Sequence, residues 1–194
     1  MSEYADLVNI VVQENRRVLC DVDENEIDQL LNAITEADCI QVFGMGRMKC
    51  AVRAFTMRLM HMGLDAHVVF DTTCPNIGPG DLLIVNAACT TIGYTIMGFA
   101  KRAGAKVAAI TANPSSKAAA LCDLTVGLRG QVHGGREYEI PSMQPMAALF
   151  EQSIFLFEDI LIQMLMQRNS ITAAEMAKKH TNLDGYMDFN IDDE

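Results

Sequence analysis

Several absences restrict what this chain is. No apolar run approaches the ~18 uninterrupted residues of a membrane helix, and the start, MSEYADLVN, has neither a basic leader nor an apolar signal core. A cytoplasmic location with no membrane partner is expected. The six cysteines, at 20, 39, 50, 74, 89 and 122, form no CxxC pair, which disfavours thiol redox chemistry and zinc and reads them as reduced thiols in or near a core. The histidines at 61, 67, 133 and 180 show neither HxxxH nor HExxH spacing, so no dedicated metal site is expected. Glycine and proline total only 18 residues and long polar stretches are missing except at the extreme C-terminus, which excludes a largely disordered chain.

What is present fits one folded domain. The 194 residues, half of them hydrophobic, suffice for a single sizeable core spanning 1–194. A net charge of -10 argues against a nucleic-acid partner, whose phosphates want a basic surface. The acidity is unevenly placed: residues 1–38 carry ten acids and two bases, residues 184–194 five acids and no base, and 39–183 ten acids against thirteen bases. The central body is therefore suited to a small anion, unless the acidic ends serve solubility alone.

Helical spacing predicts an N-terminal helical arm within 1–38: one helix over 3–19, and a second to about Ala37 opened by the capping-box pattern Asp23-Glu24-Asn25-Glu26. From Cys39 the pattern alternates. Short apolar runs at 39–43, 66–70, 82–86, 106–110 and 124–128 read as buried strands, with helices over 47–62, 93–103 and 116–121 between them. That alternation predicts a three-layer α/β/α sandwich around a five-stranded parallel sheet, the core covering 39–167. Gly63 and Gly104 stand where left-handed helix caps are wanted. A long apolar helix over 143–167 follows, then Thr172-Ala173-Ala174-Glu175 opens a short helix ending near His180 within the C-terminal segment 168–194.

In an open parallel sheet the ligand lies beyond the carboxyl ends of the strands. After the first strand comes Gly44-Met45-Gly46-Arg47, in which Gly44 and Gly46 permit close backbone approach, a helix N-terminus supplies N–H groups and Arg47 a fork of donors, all suited to phosphate. The same four residues also fit a plain tight turn, and Lys49 breaks the dinucleotide-binding glycine pattern. The third strand ends in Asn86 and leads through Cys89, Thr90 and Thr91 into a helix, a second anion cradle or an ordinary helix cap.

These residues carry a resemblance. FGMGRMKCAVRAFTMRLMHMG (43–63), DTTCPNIGPGDLLI (71–84), GAKVAAIT (104–111), SMQPMAALFEQS (142–153) and HTNLD (180–184) resemble, in order, the sugar isomerase (SIS) domain family, specifically the 6-phospho-3-hexuloisomerases. The resemblance implies a commonly tetrameric α/β/α sandwich that interconverts a 3-hexulose 6-phosphate and fructose 6-phosphate through an enediolate, with neither metal nor organic cofactor. It implies Glu151 as the base and His180, on the HTNLD ending, as a proton shuttle. Such a reaction also needs a phosphate anchor and a donor for the developing oxyanion.

Two departures matter: AACTTI (87–92) stands where the family usually reads SGSGET, and Met48 where a serine follows the arginine. They keep open a sugar-phosphate-binding module without efficient catalysis, or an isomerase of another sugar phosphate. From the residues alone, Glu151 and Glu158 also fit the wet face of an amphipathic helix, and His180 a helix-end cap. The apolar excess of the 143–167 helix points to a homo-oligomer, a dimer or tetramer.

Overall fold

The computed structural model describes residues 2–86, 91–132, 134 and 136–183, with the backbone alone at Thr91. Helices α1 (Glu3–Leu19) and α2 (Glu24–Glu36) precede β1 (Ile40–Phe43), α3 (Met48–His61), β2 (Ala66–Val68) and β3 (Leu82–Asn86). Then come α4 (Thr91–Ala103), β4 (Lys106–Thr111), a single 3-10 turn (Ala119–Leu121), β5 (Leu124–Gly127), α5 (Ala148–Arg168) and α6 (Ala173–Ala177). The five strands are all parallel in the order β2-β1-β3-β4-β5. The expected α/β/α sandwich is thus the observed fold. Among the described residues no helix is long and apolar enough to cross a membrane.

Side chains alternate across the sheet because the strand period is two. On β3, Leu82 and Ile84 join the larger core with Phe55, Leu59, Phe150 and Phe157, while Leu83 and Val85 join a smaller one with Met97 of α4. Each fully buried large apolar side chain contributes roughly 1.5–3 kcal/mol, and the larger core also takes Val18, Leu30, Leu31 and Ile34. The N-terminal helices are therefore packed into the molecule. Gly63 and Gly104 lie at φ +91° and +90°, and in each case the next amide bonds back across the last turn, Leu64 N to Leu59 O and Ala105 N to Ala100 O at 3.1 Å. Those are the expected left-handed caps.

Four boundaries differ from expectation, each because a distant partner intervenes or the backbone turns. Strand β2 ends at Val68, and Phe70 lies at φ +71°. The 116–121 helix is only a 3-10 turn, with Ser116 Oγ accepting from Ala119 N. Asp23 caps α2 by accepting from Asn25 N, but Glu26 does not close the capping box: its carboxylate accepts from Gly127 N at 2.8 Å and ties α2 to the end of β5. The long helix starts at Ala148, not 143, since Met146 lies at φ +57° and residues 142–144 turn around Glu14 instead.

That last contact positions α5. Glu14 of α1, 8% exposed, accepts from Ser142 Oγ at 2.6 Å, Met143 N at 2.8 Å and Gln144 Nε2 at 2.9 Å. Beside it Asn15 donates to Gln152 Oε1 and accepts from Ser153 Oγ, both at 2.9 Å. Burial by itself raises the Glu14 pKa, but the Ser142, Met143 and Gln144 hydrogen bonds and the charge of Arg17 outweigh it and hold it below the ordinary value. The stabilisation is present above the ordinary carboxyl pKa and is lost as pH falls through the lowered one. Replacing Glu14 with Ala leaves these donors without their acceptor and should cost about 2–4 kcal/mol. Denaturant unfolding at neutral pH measures that loss, and the gap between parent and variant should narrow on acidification; equal stability at pH 7 would refute the anchor.

Candidate active site

The strand order reverses at β1, from which the chain goes first to β2 on one side and later to β3 on the other. A crevice beyond the carboxyl ends of β1 and β3 is the ligand position in such sheets. The loop after β1 lies close on α3: a Cβ at Gly44 would fall 2.8 Å from Val52 Cγ2 and 3.2 Å from the Met48 carbonyl oxygen, and Gly46 has φ +57°. Both glycines are required by this path.

The loop delivers Arg47 to Glu151 in the first turn of α5, with Nη1 2.8 Å from Oε2. The Arg47 side chain is 63% exposed and that of Glu151 18%, so water screens the pair and it contributes at most about 0–1 kcal/mol. An arriving anion can therefore compete for the guanidinium. Around the pair a depression of about 210 Å³ is lined by Arg47, Cys50, Glu151, Gln152 and Phe155. Further along α3, Lys49 and Arg53 face Asp71 at 3.9 and 3.7 Å.

Asn86 ends β3 on the α3–α5 side of the sheet. It is 1% exposed and its Nδ2 donates to Glu158 Oε1 at 2.8 Å, so its amide nitrogen is engaged inside the protein. Glu158 is itself 2% exposed, which removes the wet-face reading of that residue. Burial pushes its pKa up to about 8, Asn86 opposes the rise and Asp159 adds to it. Cys89, Thr90 and the Thr91 side chain lie outside the described residues, while the Thr91 backbone opens α4.

His180 is not beside Glu151 within one chain. Its ring packs on His61, centroids 5.2 Å apart, at the opposite end of α3 from Arg47; thirteen helical steps are roughly 20 Å. There a larger cavity of about 430 Å³ includes Arg58, His61, Asp159 and His180. The His61 pKa is lowered by burial first, then by His180 and Arg58. The smaller depression, not this cavity, holds the expected base and lies at the sheet's ligand edge.

Among the described residues one group has metal-ligating atoms within 4.8 Å of one another, Cys39, Asp65 and His67, around the amino ends of β1 and β2. His67 Nε2 and Asp65 Oδ1 already pair at 2.9 Å, and burial followed by the Asp65 charge pushes the Cys39 thiol up to about 12. Without a metal the sulfur is therefore a protonated thiol.

Sequence reasoning missed Glu14, Asn15 and Gln152, which hold the start of α5, and the Asn86–Glu158 bond. The signal for the last was an acid set directly after Phe155-Leu156-Phe157.

No family model matches the chain. It is 33% identical over 165 residues to the 3-hexulose-6-phosphate isomerase of Bacillus subtilis, covering 84% of this chain and 89% of that protein. It is 34% identical over 179 residues to that of Mycobacterium gastri, covering 91% and 89%. A Methanococcus jannaschii protein, whose crystal structure was taken to infer a 3-hexulose-6-phosphate isomerase function, superposes with a TM-score of 0.79 at 30% identity over 92% of this chain and 99% of that one. With the parallel sheet and its reversal at β1, this likeness over nearly the whole length means that the chain belongs to the 3-hexulose-6-phosphate isomerase family.

Proposed function

We propose that the protein interconverts a 3-hexulose 6-phosphate and fructose 6-phosphate, with Glu151 moving the proton between adjacent carbons through an enediolate. The Arg47–Glu151 pair at the mouth of the switch-point crevice carries this reading. A sugar phosphate brings the anion that draws Arg47 away, and the freed carboxylate is then the acceptor for the proton on the carbon next to the carbonyl. Gly44 and Gly46 let the loop approach the phosphate, which Cys89, Thr90 and Thr91 are also assigned to bind. No organic cofactor enters this chemistry.

Glu151→Gln keeps the shape but not the base, so turnover should fall ~10²–10⁴-fold with substrate affinity nearly retained. Arg47→Ala should weaken sugar-phosphate binding by about 1.5–3 kcal/mol. Calorimetry and a coupled isomerase assay measure both. A parent protein that binds hexose phosphates yet neither turns them over nor exchanges solvent deuterium at the carbon beside the carbonyl would be a binding module instead.

Assembly belongs to the same reading. Tyr4, Leu7 and Val12 on α1 are 76%, 53% and 60% exposed, and Phe155, Leu156 and Ile160 on α5 are also exposed, a surplus that suits a contact between copies. Since His180 and Glu151 lie at opposite ends of α3, His180 serves the reaction from a second copy. Light scattering should give a dimer or tetramer, and a stable 21.3 kDa species at micromolar concentration would overturn this. Mixing Glu151→Gln with His180→Ala subunits should restore part of the turnover that each variant lacks; no recovery in verified mixed oligomers would remove His180 from a shared site.

A further inference from the structure

Glu158 lies seven residues, two helical turns, beyond Glu151 on α5, and both it and Asn86 are almost wholly buried. A carboxylate taken out of water needs a cation or several donors. Glu158 has one donor, the Asn86 amide nitrogen at Oε1, 2.8 Å away. Among the described residues, its Oε2 and the Asn86 Oδ1 are both left without a hydrogen-bond partner. The two orphans sit on the two groups already joined, and both are acceptors while Glu158 is ionised.

One proton removes both deficits. A hydrogen on Glu158 Oε2 turns that oxygen into a donor, and Asn86 Oδ1 is the acceptor left over on the neighbouring amide. Joined in that way, the two groups would make a cyclic acid–amide pair with the observed N–H···O bond and one O–H···O bond. The surroundings favour it. Among the described residues the charge that acts on Glu158 is that of Asp159, its chain neighbour, which disfavours a second negative charge. Among the described residues no cation from α1, α2, α3 or the sheet acts on it, and residues 87–90 carry no charge in the sequence.

We propose that Glu158 is a positioning residue held as the neutral acid, accepting the Asn86 amide and donating its own proton to Asn86 Oδ1, so that it clamps the middle of α5 to the carboxyl end of β3. The clamp fixes the helix bearing Glu151 against one wall of the switch-point crevice. Being neutral, Glu158 also does not compete with Glu151 for Arg47. The pairing is independent of any substrate; only its effect on turnover rests on the isomerase reading.

Infrared spectroscopy of the full-length protein tests the pairing directly. The parent at pH 6 should show a buried protonated carboxyl band that is missing in Glu158→Gln and disappears as pH rises through about 8. Its absence from the parent would overturn the proposal. Linkage provides a second measurement. The folded chain keeps a proton that the unfolded chain releases above pH 4.5, so the stability contributed by Glu158 is complete below 4.5 and is lost as pH climbs toward about 8.

Over that window the folding constant of the parent should fall about tenfold per pH unit relative to Glu158→Gln; parallel pH profiles would overturn it. If the parent proves to be an isomerase, Glu158→Ala should lower kcat about tenfold or more with KM little changed, and Glu158→Gln, whose amide can accept from and donate to Asn86 in the same pattern, should restore kcat to within about threefold of the parent. A folded Glu158→Gln as inactive as the Ala variant would make Glu158 an ionised participant and refute the neutral clamp. A parent without isomerase activity would fail the functional reading while leaving the infrared and stability results to decide the pair.

Discussion

The grip of Glu14 on residues 142–144 decides where α5 begins, and much of the molecule is arranged around that helix. Three donors converge on one buried carboxylate, while Asn15 secures the next turn through Gln152 and Ser153. The segment before Ala148 is thereby kept out of the helix, and Glu151 falls in the first turn facing Arg47. A start five residues earlier would carry the helix through Met146, whose φ of +57° no helix accommodates. Placement of the proposed base thus depends on a residue more than a hundred positions away.

The two glutamates of α5 show how environment divides chemically identical groups. Glu151 sits at a wet margin beside a guanidinium that it holds only weakly. Glu158 is surrounded by protein and has a single amide for company. Water and Arg47 keep the first available to a ligand, whereas desolvation keeps the second out of ionic chemistry.

Local sequence was sufficient where local forces decide. The five apolar runs are strands because both faces of a parallel sheet are covered, and Gly63 and Gly104 end helices because their backbone angles suit few other residues. It failed where a remote partner takes over a group. Glu26 has the spacing of a capping box, yet Gly127 claims it; Met143 and Gln144 fall within the expected helix, yet Glu14 claims them. The Gly44–Arg47 loop and Glu151 were legible through their order along the chain. Glu158 was not, because seven-residue spacing puts it on the same helical face as Glu151 and only the tertiary structure reveals that this face passes from solvent into the core.

The anchoring of α1 also constrains the order of events during synthesis. Its polar residues Glu14 and Asn15 bond to groups 128 to 138 positions downstream, so α1 is made long before the partners it will hold. At translation rates of roughly 5–20 residues per second, α1 waits about 6–28 s for those groups to be made, and its docking onto α5 becomes a step that follows synthesis of all five strands.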